Sequence, residues 1–164
     1  MIKNLNTGKS VGRKRTEYNK SLKKLRKKLS RRNYYFFTDY HRHGDYVLDV
    51  SLDNKGDIYF QKESKEFHLQ KRVKPINVVI NILCPTGYYR VLKYTNVRKY
   101  VFDFPSANPL WFNSGDDLGS WGYDELSLSK NGYFRYEILL HSGASILIEF
   151  EGFSYSSKKL LTDR

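Results

Sequence analysis

The segment around which the fold is organised is Arg13–Arg32, RKRTEYNKSLKKLRKKLSRR. At about 100° per residue, its apolar side chains share a sector of roughly 60° on a helical wheel: Tyr18, Leu22, Leu25 and Leu29. Thr16 is a candidate N-cap, and neither Gly nor Pro interrupts residues 17–33. The pattern predicts one amphipathic helix. Because a short helix with repelling like charges is marginal alone, we expect its apolar stripe to pack against the rest of the protein.

The formal charge of the chain is concentrated in its first 32 residues. The net charge is +12, from 29 Lys and Arg against 17 Asp and Glu. Residues 1–32 hold 13 of these bases and 1 of the acids, so the other 132 residues hold 16 of each and are neutral. Most of the excess lies in the predicted helix and just before it: Arg13, Lys14, Arg15, Lys20, Lys23, Lys24, Arg26, Lys27, Lys28, Arg31 and Arg32. These residues predict a surface that binds a polyanion, because solvated faces usually mix both signs of charge.

Two other interpretations of the basic helix remain open at this point. It could be an ordinary solvated face whose charge serves solubility. A basic amphipathic helix can also lie on an anionic membrane, but the apolar stripe here is narrow and lacks Trp and Phe. We therefore expect no membrane partner.

Length and composition predict two regions and a reducing compartment. Residues 1–32 form a basic arm and helix, and residues 33–164 are long enough to bury a core as a single β-rich domain. The only cysteine, Cys84, excludes an internal disulfide and is expected to be a buried thiol. There is no apolar run of about 18 residues and no signal-peptide pattern, so a cytoplasmic location is expected.

From residue 33 the hydrophobic period changes to two, which predicts strands. The first three runs are expected to form a meander, and residues 77–84 could also be a short helix. No element is predicted for Ser154–Arg164. The predicted strands are Asn33–Tyr40, Tyr46–Leu52, Asp57–Lys62, Phe67–Lys71, Asn77–Cys84, Tyr88–Tyr94, Lys99–Phe104, Gly122–Leu128, Tyr133–Leu140 and Ser145–Phe150.

The expected fold class is α+β. The basic N-terminal helix packs on a mainly antiparallel, twisted β-sheet of roughly seven to nine strands. Closure of that sheet into a half-barrel is an open alternative.

His41 and His43 are the main candidates for chemistry. Two imidazoles flanked by Asp39 and Asp45 have the ligand types of a transition-metal site and could also form an acid–base pair. A metal site would need a third histidine, His68 or His141, from elsewhere in the chain. Because the segment lies where a hairpin turns, we favour a polar turn or a partner contact and expect no metal or cofactor.

A long irregular segment, residues 105–122, holds both tryptophans, Trp111 and Trp121, and the acidic pair Asp116 and Asp117. A loop of this length is functional or is packed by its own side chains. Paired carboxylates can act in glycoside chemistry, but no second carboxylate position can be argued here. We predict no catalytic residue and treat this segment, with His41 and His43, as a candidate partner contact.

Three functions of different classes follow, and the least favoured is a small hydrolase built on His41 and His43. The favoured hypothesis is a non-enzymatic module that contacts the phosphates of RNA, or of DNA, through the basic helix, and that could belong to an RNA–protein assembly. The alternative is a small bacterial inhibitor or immunity-type protein that blocks an acidic protein through its aromatic sheet and tryptophan loop.

Overall fold

The computed structural model describes residues 18–38, 42–53, 58–62, 65–69, 76–104 and 118–160. The described chain begins in helix α1, which runs to residue 25, and continues through a 3-10 turn at Arg26–Lys28 into helix α2 at Arg31–Thr38. Strands follow: β1 (Tyr46–Asp53), β2 (Ile58–Gln61), β3 (Glu66–Leu69), β4 (Ile76–Cys84), β5 (Tyr88–Val97), β6 (Lys99–Asp103), β7 (Trp121–Leu128), β8 (Phe134–Leu140), β9 (Ser145–Phe150) and β10 (Gly152–Lys159).

The helical region differs from the prediction of one helix followed by a strand. Leu29 is extended, with φ −111° and ψ 144°, and it ends the first helical segment. The hydroxyl oxygen of Ser30 then accepts a hydrogen bond from the Asn33 N–H at 3.1 Å, which is the N-cap geometry that starts α2. The strand predicted at Asn33–Tyr40 is therefore wrong, because residues 31–38 are helical.

The described strands form two four-stranded antiparallel sheets and a separate hairpin. The first sheet has the order β1-β4-β5-β10, the second has the order β6-β9-β8-β7, and β2 pairs with β3. The predicted strands from Tyr46 to Phe150 are confirmed within a few residues at their ends. The predicted meander is wrong because β1 pairs with β4, and the strand β10 was not predicted.

The two sheets are joined at a corner and do not make a closed barrel. β5 runs directly into β6, and β9 into β10, so each pair of strands changes sheet at the same place. Glu151 fixes this corner by accepting hydrogen bonds from Arg98 at 2.8 Å and from the Asn96 amide at 2.9 Å. The α+β fold class, with a helix packed on twisted antiparallel sheet, is confirmed.

The helices complete the hydrophobic core. Leu22 and Leu25 of α1 and Phe36 and Phe37 of α2 are buried among the inward-facing residues of both sheets. Tyr18 and Leu29 pack against the same cluster. The apolar stripe predicted from the sequence therefore faces the core as expected, and the basic residues are left outside.

Polar side chains of the helices also cap two sheet edges. Arg32 and the Asn33 amide donate to the Tyr155 and Phe153 carbonyl oxygens of β10, at 3.0 and 2.7 Å. The Tyr18 hydroxyl accepts a hydrogen bond from a backbone N–H of β7 at 3.1 Å. Because unpaired edge strands invite pairing with other chains, these contacts protect β7 and β10 and fix the helices in place.

The attachment of α1 can be tested by Leu22→Ala. Leu22 is fully buried, and removal of a buried leucine side chain is expected to lower the free energy of unfolding by about 2–5 kcal/mol. The control is Leu48→Ala, because Leu48 is 50% exposed on β1 and its truncation should cost less than about 0.5 kcal/mol. Urea denaturation measures both values. Equal small losses would mean that α1 is not part of the folded core.

Candidate functional site

The basic residues of the helices are exposed, and together they are called the cationic face below. All eight Lys and Arg side chains described between residues 18 and 32 are exposed, and this stretch contains no acidic residue. The members of the cationic face are Lys20, Lys23, Lys24, Arg26, Lys27, Lys28, Arg31 and Arg32. Three other predicted members, Arg13, Lys14 and Arg15, lie outside the described residues.

The cationic face is not neutralised by the described carboxylates. Within the parts of the chain that the structure describes, ion pairs join Arg42 to Asp124, Arg90 to Asp45, Arg98 to Glu151, and Arg135 to Glu137 and Glu149. None of these pairs includes a residue of the cationic face. Its eight charges therefore have no carboxylate partner among the described residues. Their mutual repulsion destabilises the protein alone and favours the binding of an anion.

The arginines and the lysines of the cationic face are held differently. Arg26, Arg31 and Arg32 lie over the rings of Tyr34, Tyr35 and Tyr155, with 5.6, 5.7 and 4.6 Å from the guanidinium carbon to the ring centroid. Such cation–π contacts fix the position of an arginine without cancelling its charge. Arg32 also has a structural function, because it caps β10. The cationic face thus combines positioned arginines with exposed lysines.

A pocket of about 440 Å³ opens beside the cationic face, where the end of α2 leaves the first sheet. Strand register explains its composition. Arg90 of β5 lies opposite Ser157 of β10, and residues directly opposite in an antiparallel pair project to the same face. The lining residues are Tyr35, Phe36, Thr38, Arg90, Tyr155 and Ser157. The exposed Lys159 lies two residues after Ser157 on β10 and therefore shares the same face of the sheet.

A buried polar network lies at the end of α2. Arg42 donates two hydrogen bonds to the Asp124 carboxylate, at 2.9 and 3.1 Å, and a third to the Phe36 carbonyl oxygen at the end of α2. Burial opposes the charge of Arg42, but Tyr136 and the Asp124 carboxylate raise its pKa above the ordinary value. Burial also raises the pKa of Tyr18, so that this neighbouring phenol stays neutral. The network connects α2 with β7.

Trp121 belongs to this network and not to an exposed loop. Its ring is 1% exposed, and its Nε1 donates to an Asp124 carboxylate oxygen at 2.7 Å. Trp121 is the first residue of β7, and its backbone N–H donates to the Asp45 carbonyl oxygen at 2.6 Å. Trp121 was predicted to contact a partner. The structure corrects that prediction, because the ring is already enclosed by the protein's own core.

Two of the histidines, His43 and His141, lie close together. The rings of His43 and His141 are 4.8 Å apart, and His43 also contacts Tyr123 at 5.8 Å. A metal site at this turn would have required a third histidine, and His141 is one of the two candidates for it. Among the described residues, however, no group of three His, Cys, Asp or Glu side chains could hold a metal ion. The arrangement is a pair of exposed rings at the surface of the second sheet.

Four predicted partner contacts lie outside the described residues, namely His41, Trp111, Asp116 and Asp117. His43, the remaining histidine of that prediction, is exposed. Cys84 is a buried thiol that donates to the Asp45 carboxylate at 3.4 Å. None of the helices in the described chain has the length and apolar composition needed to cross a membrane.

Comparisons of the chain with protein-family models, with curated proteins and with solved structures found no match. Function is therefore argued from the geometry of the chain alone. Sequence reasoning missed Arg90 and Tyr155 as site residues. Their proximity depends on the pairing of β5 with β10, which brings together segments more than 60 residues apart.

Proposed function

We propose that this protein is a non-enzymatic module that binds the phosphates of RNA, or of DNA, through the cationic face. The observation that supports the proposal is the set of eight exposed Lys and Arg side chains that has no described carboxylate partner. A nucleic acid supplies the matching array of negative charge, and neutralising its phosphates releases condensed counterions. This release is the main source of affinity for a protein with no base-reading motif.

The way the cationic face is built also supports the proposal. A surface that serves only solubility needs no fixed geometry, whereas α1 and α2 are anchored by buried leucines and phenylalanines. The helices therefore present their charges on a rigid support, and rigid presentation lowers the entropy lost on binding. Arg26 and Arg31, resting on tyrosine rings, are ordered before any ligand arrives.

The competing hypothesis is that the partner is an acidic protein. Comparing the binding of nucleic acid with the binding of a carboxylate polymer distinguishes these two kinds of partner. The purified full chain is titrated into labelled single-stranded RNA of about 20 nucleotides, into the corresponding DNA, and into polyglutamate of similar charge. We expect a Kd for nucleic acid of about 10⁻⁴–10⁻⁶ M or tighter at physiological salt, with weaker binding to polyglutamate. No RNA or DNA binding at low salt would overturn the proposal. Preference for polyglutamate would favour the acidic-protein partner.

The inhibitor hypothesis has less support. Of its proposed contact residues, Trp121 is in the core, and Trp111, Asp116, Asp117 and His41 lie outside the described residues. A cytoplasmic site of action is part of our proposal, because a chain with a single cysteine forms no internal disulfide, which suits a reducing compartment.

A further inference from the structure

We propose that the pocket beside the cationic face receives an unpaired nucleotide, so that the protein prefers single-stranded nucleic acid. The inference rests on the proposed function and specifies its ligand. An exposed aromatic ring, an arginine and hydroxyl groups line one cavity of about 440 Å³, which is within the range of small-molecule pockets. An unstacked base with its phosphate needs these three kinds of group.

Tyr35 is the stacking platform. It is 55% exposed although it lies on a helix whose next two residues are buried, so its ring is presented to solvent and does not fill the core. Arg31 lies over one face of the ring, 5.7 Å from its centroid, and keeps a positive charge there, so the base stacks on the opposite face. A base can stack on the ring while Arg31 contacts the phosphate that follows. Tyrosine and arginine are used together in this way in single-strand binding.

The floor of the pocket supplies polar contacts. Arg90 is partly buried, and its NH1 group lies 3.4 Å from the carboxylate of Asp45, which is 1% exposed. This buried carboxylate orients the guanidinium and offsets part of its charge. We therefore expect the Arg90 guanidinium to hydrogen-bond the edge of the base, whereas the cationic face contacts the phosphate. The hydroxyl of Ser157 can donate and accept hydrogen bonds at the same base or ribose. The Thr38 hydroxyl donates to the Tyr34 carbonyl oxygen of α2 at 3.0 Å, so it can only accept a hydrogen bond from the ligand.

The inner wall of the pocket is formed by a tyrosine ring that other side chains of the protein already cover. Tyr155 is covered by the Arg32 guanidinium at 4.6 Å and by the Phe36 ring at 4.8 Å. It therefore closes the pocket and leaves Tyr35 as the exposed ring. A duplex cannot place a base in this recess, because its bases are stacked and paired. A strand with free bases can.

The test compares single-stranded and duplex probes with a Tyr35→Ala variant. Probes are oligouridine, oligodeoxythymidine and an RNA duplex of equal length, and the control is Tyr123→Ala, because Tyr123 is 60% exposed on β7, outside the pocket. We expect Tyr35→Ala to weaken single-strand binding about 5- to 100-fold and to leave duplex binding unchanged. Tyr123→Ala should change neither. A second variant, Ser157→Phe, fills the pocket without removing charge and should have the same selective effect.

Each result decides between the two proposals. If native protein binds neither strand type at low salt, the proposed function itself is overturned. If it binds both but Tyr35→Ala and Ser157→Phe reduce single-strand and duplex binding equally, or reduce neither, the pocket inference alone is overturned. Comparison of oligouridine with oligodeoxythymidine assigns the nucleotide to RNA or to DNA, since only a ribose 2′-hydroxyl can add a hydrogen bond.

Discussion

The Lys20→Gln/Lys24→Gln/Lys27→Gln variant is expected to bind a labelled RNA of about 20 nucleotides about 10²–10³-fold more weakly than the native chain in about 0.1 M salt. Each lysine lost removes one phosphate contact and the counterion release that goes with it. At this salt concentration, one contact corresponds to a factor of about 5 to 8 in the binding constant. The three lysines are exposed, so the variant should fold normally. Fluorescence anisotropy gives the affinities and circular dichroism checks the fold.

A matched control removes the same charge from other surfaces. Lys62, Lys65 and Lys99 are also exposed, and they lie after β2, before β3 and on β6, which is the edge strand farthest from β7 in the second sheet. The Lys62→Gln/Lys65→Gln/Lys99→Gln variant is expected to lose less than about tenfold, because only the long-range field of the protein changes. Equal losses in both variants would mean that net charge, and not the cationic face, determines binding.

The second large effect concerns stability. Asp124→Ala is expected to lower the free energy of unfolding by about 3–5 kcal/mol, because it leaves the Arg42 guanidinium buried without its carboxylate. The substitution also removes the acceptor of the Trp121 Nε1 hydrogen bond. Since Arg42 caps the end of α2, the loss should extend to the helices and weaken nucleic-acid binding indirectly. Urea denaturation followed by tryptophan fluorescence measures the change.

A partly exposed ion pair provides the comparison for Asp124→Ala. Arg135 and Glu137 are 2.7 Å apart with side chains about one-third exposed, so Glu137→Ala should cost at most about 1 kcal/mol. A loss of about 1 kcal/mol or less for Asp124→Ala as well would show that water reaches the Arg42 site. In that case the network would not be the buried link between α2 and β7 described above.

Much of the fold was predictable from local patterns. The spacing of Leu22 and Leu25 placed the buried side of α1 correctly, because a helical period is visible within three turns. The alternation of buried and half-buried residues in β8 and β9 is an equally local pattern. Helix α2 was not predicted, because its adjacent aromatic residues are compatible with two structures. In a strand they place rings on both faces, and in a helix they place rings on one face. Ser30 as the N-cap was the signal that could have decided it.

The candidate site was only half predictable for a similar reason. The cationic face follows from composition, since a run of Lys and Arg on one helix must be exposed unless it is paired. The pocket depends on which strand lies beside β5, and the polar strand β10 has only Phe153 and Tyr155 as apolar markers. The burial of Trp121 likewise depends on Arg42 and Asp124, which are 82 residues apart and pair only after folding.

The dependence of the binding constant on salt tests the central claim most directly. The claim is that the exposed cations of the helices contact phosphates. With about six such contacts, a plot of log K against log salt should have a slope of about −4 for a single strand and about −5 for a duplex. The Lys20→Gln/Lys24→Gln/Lys27→Gln variant should show a slope about half as steep. A native slope near zero, or a slope unchanged in this variant, would contradict the claim.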